Sequence, residues 1–200
     1  KIIERRAMAK LHFHYSTMNA GKSTLLLQAA HNYKEMGMET LLLTADFDDR
    51  AENGKITSRI GISAPAELYS QGSNLLSLVE KKLREKALAC VLVDEAQWLS
   101  PNQVWQLAQV VDDLKVPVIC YGLRVDFMGE LFPGSAKLLA IADEMREVRT
   151  ICHCGSKATM VVRKDSDGKV QTSGDQVQVG GNEMYFSLCR LHWRQAVKGD

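Results

Sequence analysis

Short apolar runs of strand length alternate along the chain with stretches whose apolar residues recur at helical spacing. Residues 11–15 alternate apolar and polar, whereas three later runs are almost continuously apolar, as in strands buried on both faces of a sheet. The pattern predicts strands over 11–15, 40–45, 89–94, 116–121 and 145–151, and helices over 25–36, 73–86, 101–114 and 135–142. Such alternation predicts an α/β fold with a parallel sheet, helices on both faces and right-handed crossovers.

Local signals mark where some of these helices begin. Ser100, Pro101 and Gln103 combine a hydroxyl cap, a proline in the first turn and a glutamine that can close a capping box. Ser73 is the corresponding cap candidate for the helix over 73–86. Residues 51–65 are polar, contain glycine and are weakly periodic, so we expect a mobile loop there.

The segment between the first predicted strand and the first predicted helix carries a phosphate-binding signature. In a strand–loop–helix context, successive backbone N–H groups and the positive helix end face one anion. Lys22 would reach the terminal phosphates of a nucleotide, and the Ser23 hydroxyl would bind Mg²⁺. Ser16 stands where the usual pattern has glycine. The predicted nucleotide-binding residues of this loop are Ser16, Thr17, Met18, Asn19, Ala20, Gly21, Lys22, Ser23 and Thr24.

Acidic residues follow two of the buried strands. In P-loop folds, an acidic residue at the end of this strand helps to hold Mg²⁺ through water, and we expect this role for Asp94. Glu95 could accept a proton from an attacking hydroxyl or water. Because carboxyl ends of parallel strands share one edge of a sheet, we add Asp94, Glu95, Ala96 and Gln97 to the predicted nucleotide site. The charged residues from Asp46 to Arg50 follow the strand over 40–45, where they either act on a ligand or form a solvated turn.

The last fifth of the chain differs in kind from the rest. Cys152 and Cys154 are followed about 35 residues later by Cys189 and His192, and these four residues can bind one Zn²⁺ tetrahedrally. His153 competes with Cys154 for one position, and we prefer Cys154. A closed site of this kind would fold a small lobe rather than catalyse. We therefore predict a nucleotide-binding domain over 8–151, a zinc-binding lobe over 152–196, and a tag or upstream extension over 1–7.

Composition excludes several classes of protein. The chain has 200 residues, 46% of them hydrophobic and 24% charged, which suffices for a sizeable core. A formal net charge of +1 argues against binding nucleic acid by bulk electrostatics. No apolar run approaches the ~18 residues of a membrane span, and residues 1–7 do not resemble a secretory signal. Cys90 and Cys120 lie in apolar runs as buried thiols, so we expect a reducing, cytoplasmic location.

The order of these motifs over nearly all of 8–196 closely resembles that of the cytosolic-type thymidine kinases. The matching pieces are Met18 to Thr24, Asp48 to Arg50, Val93 to Gln97, Tyr121 to Leu123 with Phe127 and Phe132, Cys152 with Cys154, Gly180 to Tyr185, and Cys189 with His192. The resemblance implies a P-loop (RecA-like) parallel sheet with a small zinc lobe. It implies transfer of phosphate from ATP to the 5′-hydroxyl of thymidine, and of deoxyuridine as well, for nucleotide salvage.

The resemblance also assigns roles to individual residues. Glu95 would be the catalytic base, Lys22 would bind the ATP phosphates, and Arg50, with Asp48 as its partner, would lie near the transferred phosphoryl group. The residues implied in thymidine binding are Met18, Asp48, Arg50, Glu95, Trp98, Leu123, Phe127, Phe132, Gln176, Val177, Gln178, Val179, Gly180 and Tyr185. Residues 165–185 resemble a loop that folds over the base. The resemblance also implies a homotetramer that is inhibited by dTTP. It implies Mg²⁺ and a structural Zn²⁺ as cofactors.

A P-loop ATPase or switch that grips nucleic acid or protein through the zinc lobe is the alternative. The acidic pair suits ATP hydrolysis as well as phosphoryl transfer, because Glu95 could orient a water. The near-neutral charge and the scattered basic residues of 152–200 argue against it.

Overall fold

The computed structural model of the chain describes residues 9–46, 54–176 and 184–199. Its strands are β1 (Leu11–Ser16), β2 (Thr40–Ala45), β3 (Lys55–Thr57), β4 (Ser63–Pro65), β5 (Glu67–Tyr69), β6 (Cys90–Val93), β7 (Val118–Leu123), β8 (Glu144–Glu147), β9 (Thr150–Ile151), β10 (Lys157–Ala158), β11 (Met160–Lys164), β12 (Val170–Gln171) and β13 (Tyr185–Leu188). Its helices are α1 (Lys22–Glu35), α2 (Leu75–Glu85), α3 (Pro101–Asp112), α4 (Pro133–Ile141) and α5 (Arg190–Lys198), with a 3₁₀ turn over Ala96–Trp98.

Six of the described strands form one central sheet in the order β5-β2-β6-β7-β1-β8, and every pair in it is parallel. The four residues of β6 are fully buried, as its continuous apolar run predicts for a central strand. The carboxyl ends of β6, β7 and β1 lie side by side. The predicted α/β architecture is confirmed.

Helices cover both faces of this sheet because alternate strand residues point in opposite directions. Val91 and Val93 of β6 join a core with residues of α2, α3 and α4. Cys90 and Leu92 join a second core with Leu26 of α1. We call residues 9–151, as far as they are described, the sheet domain.

The capping box of α3 is present as predicted. The Ser100 hydroxyl accepts a hydrogen bond from the backbone N–H of Gln103, and the side chain of Gln103 accepts one from the backbone N–H of Ser100. The cap predicted for the preceding helix is wrong by one residue. Asn74 caps α2 by accepting from the N–H of Ser77, because the Ser73 hydroxyl instead accepts from the N–H of Ser70.

Three further expectations are corrected. Within 54–65 the chain forms the antiparallel hairpin β3–β4, where sequence predicted a loop, and β5 adds an edge strand that was not predicted. The strand predicted over 145–151 is two strands. β8 ends where its pairing with β1 ends, and β9 turns to pair antiparallel with β10. Helix α1 begins at Lys22 rather than at residue 25, because the loop over 17–21, which we call the phosphate loop, leads directly into it.

Residues 152–176 and 184–199 form what we call the lobe. The antiparallel sheet β12-β11-β13 packs against α5, and the hairpin β9–β10 leads into it from the sheet domain. Its core consists of four buried residues, Cys152, Ala158, Val162 and Leu188, with Trp193 packed against them. The predicted boundary between residues 151 and 152 falls inside the β9–β10 hairpin, and the division into domains stays a prediction.

The described part of the chain contains no helix that combines the length and the apolar character needed to cross a membrane.

Candidate active site

The phosphate loop joins the end of β1 to the start of α1. Its left-handed residues are Asn19, with φ of 64°, and Gly21, with φ of 86°. Asparagine and glycine tolerate this conformation best. Ser16 is the last residue of β1 and has an extended backbone, so the loop does not require glycine there.

Lys22 is held across the loop that precedes it. Its ammonium group donates to the Ser16 hydroxyl and to the carbonyl oxygen of Thr17, each at 3.0 Å. The side chain is 9% exposed. A buried ammonium beside the backbone N–H groups of a helix start is suited to bind phosphate oxygens.

Asp94 faces the start of α1 from the carboxyl end of β6. The Ser23 hydroxyl donates to its Oδ2 at 2.9 Å, which joins two parts of the predicted nucleotide site that lie 71 residues apart. Burial, with the adjacent Glu95 charge, raises the pKa of Asp94 to about 7. Its other oxygen, Oδ1, is buried without a hydrogen-bond partner among the described residues.

An unpartnered buried carboxylate oxygen next to a hydroxyl is a donor set that suits Mg²⁺ and its bound water. Ser23 and Asp94 therefore fit the predicted magnesium site.

Glu95 occupies a left-handed conformation, with φ of 51°, between β6 and the 3₁₀ turn. This conformation costs an ordinary residue about 1–2 kcal/mol, and such strain is concentrated at functional sites. The Tyr69 hydroxyl donates to the carbonyl oxygen of Glu95 at 3.1 Å. The side-chain amide of Gln97 donates to the Glu95 carboxylate at 2.6 Å.

Gln97 connects this carboxylate to the next strand. Its side-chain oxygen accepts from the backbone N–H of Leu123 at 2.9 Å, and the residue is 2% exposed. Gly122 leaves room for it, because a Cβ there would lie 2.9 Å from the backbone nitrogen of Gln97. The position of Glu95 is thus set by contacts from β5 and β7.

Aromatic side chains stand beside this turn. Trp98 and Phe132 meet edge to face, with ring centroids 5.1 Å apart. Phe127 and Phe132 are 1% and 2% exposed. Gln176 donates to the carboxylate of Asp126, the residue that precedes Phe127, at 2.7 Å.

The lobe approaches the phosphate loop directly. Ser187, two residues after Tyr185 on β13, donates to the carbonyl oxygen of Met18 at 2.6 Å. The structure thus brings together, at the carboxyl edge of the central sheet, residues of the predicted nucleotide site, the lobe and the three aromatic residues Trp98, Phe127 and Phe132, which we call the aromatic wall. Other predicted substrate residues lie outside the described residues: Asp48, Arg50, Val177, Gln178, Val179 and Gly180.

Sequence reasoning missed several residues of this region. Tyr69, Asp126, Arg163 and Trp193 were not singled out. Tyr69 lies on a three-residue edge strand, and Arg163 lies in an apolar strand of the lobe. The one available signal was the charged Arg163 directly after the apolar run Met160 to Val162, since a charged side chain is unusual in a buried strand.

The predicted metal ligands come together in the lobe. One donor atom from each of Cys152, Cys154, Cys189 and His192 lies within 4.8 Å of the others. His192 Nδ1 lies 3.4 Å from the Cys152 sulfur and 3.3 Å from the Cys189 sulfur. Hydrogen bonds from Ser156 lower the pKa of Cys154 to about 6, which favours the thiolate that binds metals.

These distances and donors fit a tetrahedral zinc ion. The competing residue His153 lies beside His192, with ring centroids 4.3 Å apart and the rings tilted by 39°. Cys90 and Cys120 are buried in the sheet domain as predicted, and burial raises the pKa of the Cys90 thiol to about 12.

Comparison with known proteins assigns this arrangement to a family. A family model described as thymidine kinase matches residues 9–193. A thymidine kinase of Jannaschia sp. (strain CCS1) is 67% identical over 190 residues, which cover 95% of this chain and 97% of that protein. Those of Agrobacterium fabrum and Yersinia pestis are 60% and 54% identical and cover 93% and 96% of this chain, and 96% and 97% of their own lengths. The chain belongs to the thymidine kinase family.

Proposed function

We propose that the chain transfers the γ-phosphoryl group of ATP to the 5′-hydroxyl of thymidine, and of deoxyuridine, to give the nucleoside monophosphate and ADP. Its relatives named thymidine kinase match it over nearly their full length. The observation that carries the proposal is that the Ser23–Asp94 hydrogen bond joins the carboxyl ends of β1 and β6, with Lys22 next to Ser23 and Glu95 next to Asp94. Catalysis of phosphoryl transfer depends on such positioning and charge neutralisation. The family assignment does not favour the alternative of an ATPase with a macromolecular partner.

The phosphate loop would bind ATP through its backbone N–H groups, while Lys22 would contact the terminal phosphates. Ser23 and Asp94 would hold Mg²⁺, directly and through water. When bound, this ion neutralises charge on the phosphates. A cation bound beside Asp94 would favour its ionised form and so lower its raised pKa.

Glu95 would accept the proton of the nucleoside hydroxyl as its oxygen attacks the γ-phosphorus. The hydrogen bond from Gln97 would hold the carboxylate in place for this step. Arg50 and Asp48 would lie near the transferred group, as the family resemblance implies.

The nucleoside would lie against Met18, Trp98, Leu123, Phe127 and Phe132. Gln176 to Gly180 would contact the pyrimidine edge through backbone groups, and Tyr185 would lie near the sugar. A zinc ion held by Cys152, Cys154, Cys189 and His192 would keep the lobe folded. A cytoplasmic homotetramer that is inhibited by dTTP completes the proposal on the family resemblance.

ADP release from Mg-ATP, with and without nucleoside, tests the proposal. We expect release with thymidine and deoxyuridine, and background release with deoxycytidine or uridine. Release that does not depend on any nucleoside would identify an ATPase and overturn the proposed function.

A further inference from the structure

Arg163 is a buried arginine at the interface between the lobe and the aromatic wall. It lies on β11 and is 3% exposed. The centre of its guanidinium lies 3.8 Å from the centroid of the Phe127 ring, which is stacking distance. Arginine stacks on aromatic faces better than lysine does because its cation is planar and less strongly hydrated.

The edge of the same guanidinium makes hydrogen bonds to a second segment. Its Nε donates to the side-chain oxygen of Gln171 at 2.5 Å, and Nη1 donates to the carbonyl oxygen of Asp175 at 2.9 Å. Gly174 allows this approach, since a Cβ there would lie 2.8 Å from Nη2. The planar group therefore presents its face to the aromatic wall and its edge to residues 171–175.

A further hydrogen bond closes a ring of contacts. Gln176, next to Asp175, donates to Asp126, next to Phe127. Asp126 is 2% exposed, and its other oxygen accepts from the backbone N–H groups of Met128 and Glu130 at 2.9 Å. The contacts of Arg163 and the Gln176–Asp126 hydrogen bond thus join residues 171–176 to residues 126–127 at adjacent points.

The contacts of Arg163 in the described part of the chain are an amide oxygen, a carbonyl oxygen and an aromatic face. None of these carries a full negative charge. Burying a cation without a carboxylate is costly, and an apolar side chain of similar volume would serve packing at least as well. The contact geometry, rather than core stability alone, accounts for an arginine at this position.

We propose that Arg163 is a positioning residue for the nucleoside: it fixes the ring of Phe127 and holds residues 171–176 against it. This inference rests on the proposed function, in which Phe127 and Gln176 contact the substrate. Arg163 would act through these residues, because its contacts in the described part of the chain are with Gln171, Asp175 and Phe127.

Arg163→Met tests the inference, because methionine keeps much of the volume but lacks the planar cation. We expect the KM and the Kd for thymidine to rise by about tenfold or more, given the worth of a desolvated stacking cation and its hydrogen bonds. The KM for ATP and kcat should change by about twofold or less. Arg163→Lys, which keeps the charge without the plane, should recover part of the affinity.

Lys164→Met is the matched control. Lys164 is the next residue of β11, and its ammonium lies 4.9 Å from the ring of Phe186, which is 45% exposed. The control removes the same charge and a cation–aromatic contact from the other face of the strand. It should leave both thymidine constants unchanged.

A double-mutant cycle separates positioning from general destabilisation. If Arg163 acts through Phe127, Arg163→Met should raise the thymidine Kd much less in a Phe127→Leu background than in the wild type. Equal effects in both backgrounds, or a wild-type Kd in Arg163→Met, would overturn the inference while leaving the proposed kinase intact. If Arg163→Met lowered thymidine affinity, ATP affinity and kcat to a similar extent, the inference would also be overturned, since this would show a structural role. Failure of the wild type to release ADP with thymidine would instead overturn the proposed function.

Discussion

The sheet domain and the lobe differ in how much apolar surface they bury. The sheet domain buries apolar side chains on both faces of six strands, with β6 wholly inside. The described part of the lobe has five buried apolar residues, four of them in one cluster, and one of these four, Cys152, is also a predicted metal ligand. A core this small supplies little stabilisation by burial alone. We therefore expect the sheet domain to fold by burial, and the lobe to depend on its Cys/His cluster and on docking.

The docking contacts lie where the proposed chemistry lies. The Trp193 ring N–H of the lobe donates to the carbonyl oxygen of Phe127 at 3.2 Å. Arg124 donates from the sheet domain to the carbonyl oxygen of Thr159. Disturbing the lobe should therefore affect nucleoside binding first, and disturbing the strand ends should affect turnover first.

The largest expected effect concerns Glu95. Glu95→Gln removes the proposed base while keeping the shape of the side chain, so turnover should fall by ~10²–10⁴-fold with thymidine binding retained. Steady-state ADP release and thymidine titration measure the two quantities. The control Glu85→Gln makes the same change at the exposed end of α2. Near-wild-type turnover in Glu95→Gln would remove Glu95 from the role.

Removal of a metal ligand tests the dependence of the lobe. His192→Ala should release bound zinc and lower kcat/KM for thymidine by at least about tenfold, because metal binding and folding of the lobe are coupled. Elemental analysis, limited proteolysis and kinetics report these effects. His31→Ala changes an exposed histidine of α1 and should do neither. The prediction would be contradicted if elemental analysis found no zinc in the folded protein and washing with a chelator did not lower its stability.

Gly134 tests the strand-end side of the comparison. A Cβ at this position would lie 2.6 Å from the carbonyl oxygen of Leu99 and 2.7 Å from that of Ala96, so α4 packs directly on the turn that follows Glu95. Gly134→Ala should cost about 1–3 kcal/mol of unfolding free energy and lower kcat severalfold. Thermal unfolding and kinetics measure both.

The control for Gly134→Ala is Gly72→Ala. There the nearest atom to a new Cβ is the Ser70 hydroxyl oxygen at 3.9 Å, and no clash arises. A Gly134→Ala variant as stable and active as Gly72→Ala would show that the turn adjusts without cost.

The smallest expected effect is on the pH dependence of stability. Burial, with repulsion from Arg146 and His12, lowers the pKa of His14 to about 4. The folded chain therefore binds fewer protons than the unfolded chain between about pH 4 and 6.5, and stability should fall as the pH falls through this window. His14→Gln should reduce that loss by a few tenths of a kcal/mol or more, measured as the change in unfolding free energy between pH 7 and pH 4.5.

His31→Gln is the control, because it makes the same change at an exposed histidine of α1. An acid sensitivity in His14→Gln equal to that of the wild type would contradict the assignment to His14.

Prediction from sequence succeeded where neighbours along the chain decide the outcome. The bounds of β2, the capping box of α3 and the phosphate loop depend on residue types within a few positions of one another. The metal cluster was predicted from two short spacings, because each pair of ligands is local and only their meeting is not. Prediction failed for 145–151, where a change of pairing partner rather than of composition divides the run into β8 and β9.

The sequence by itself determined the order of the main buried strands and of the first four helices, the phosphate-binding signature and the position of the acidic pair, since these follow from backbone geometry and local side-chain preference. Only the tertiary structure decided that Tyr69 supports the strained Glu95, that Ser23 meets Asp94, and that Arg163 lies on Phe127. The partners in these contacts are 26, 71 and 36 residues apart in the sequence. Their meeting depends on the parallel strand order and on the docking of the lobe, which no local pattern records.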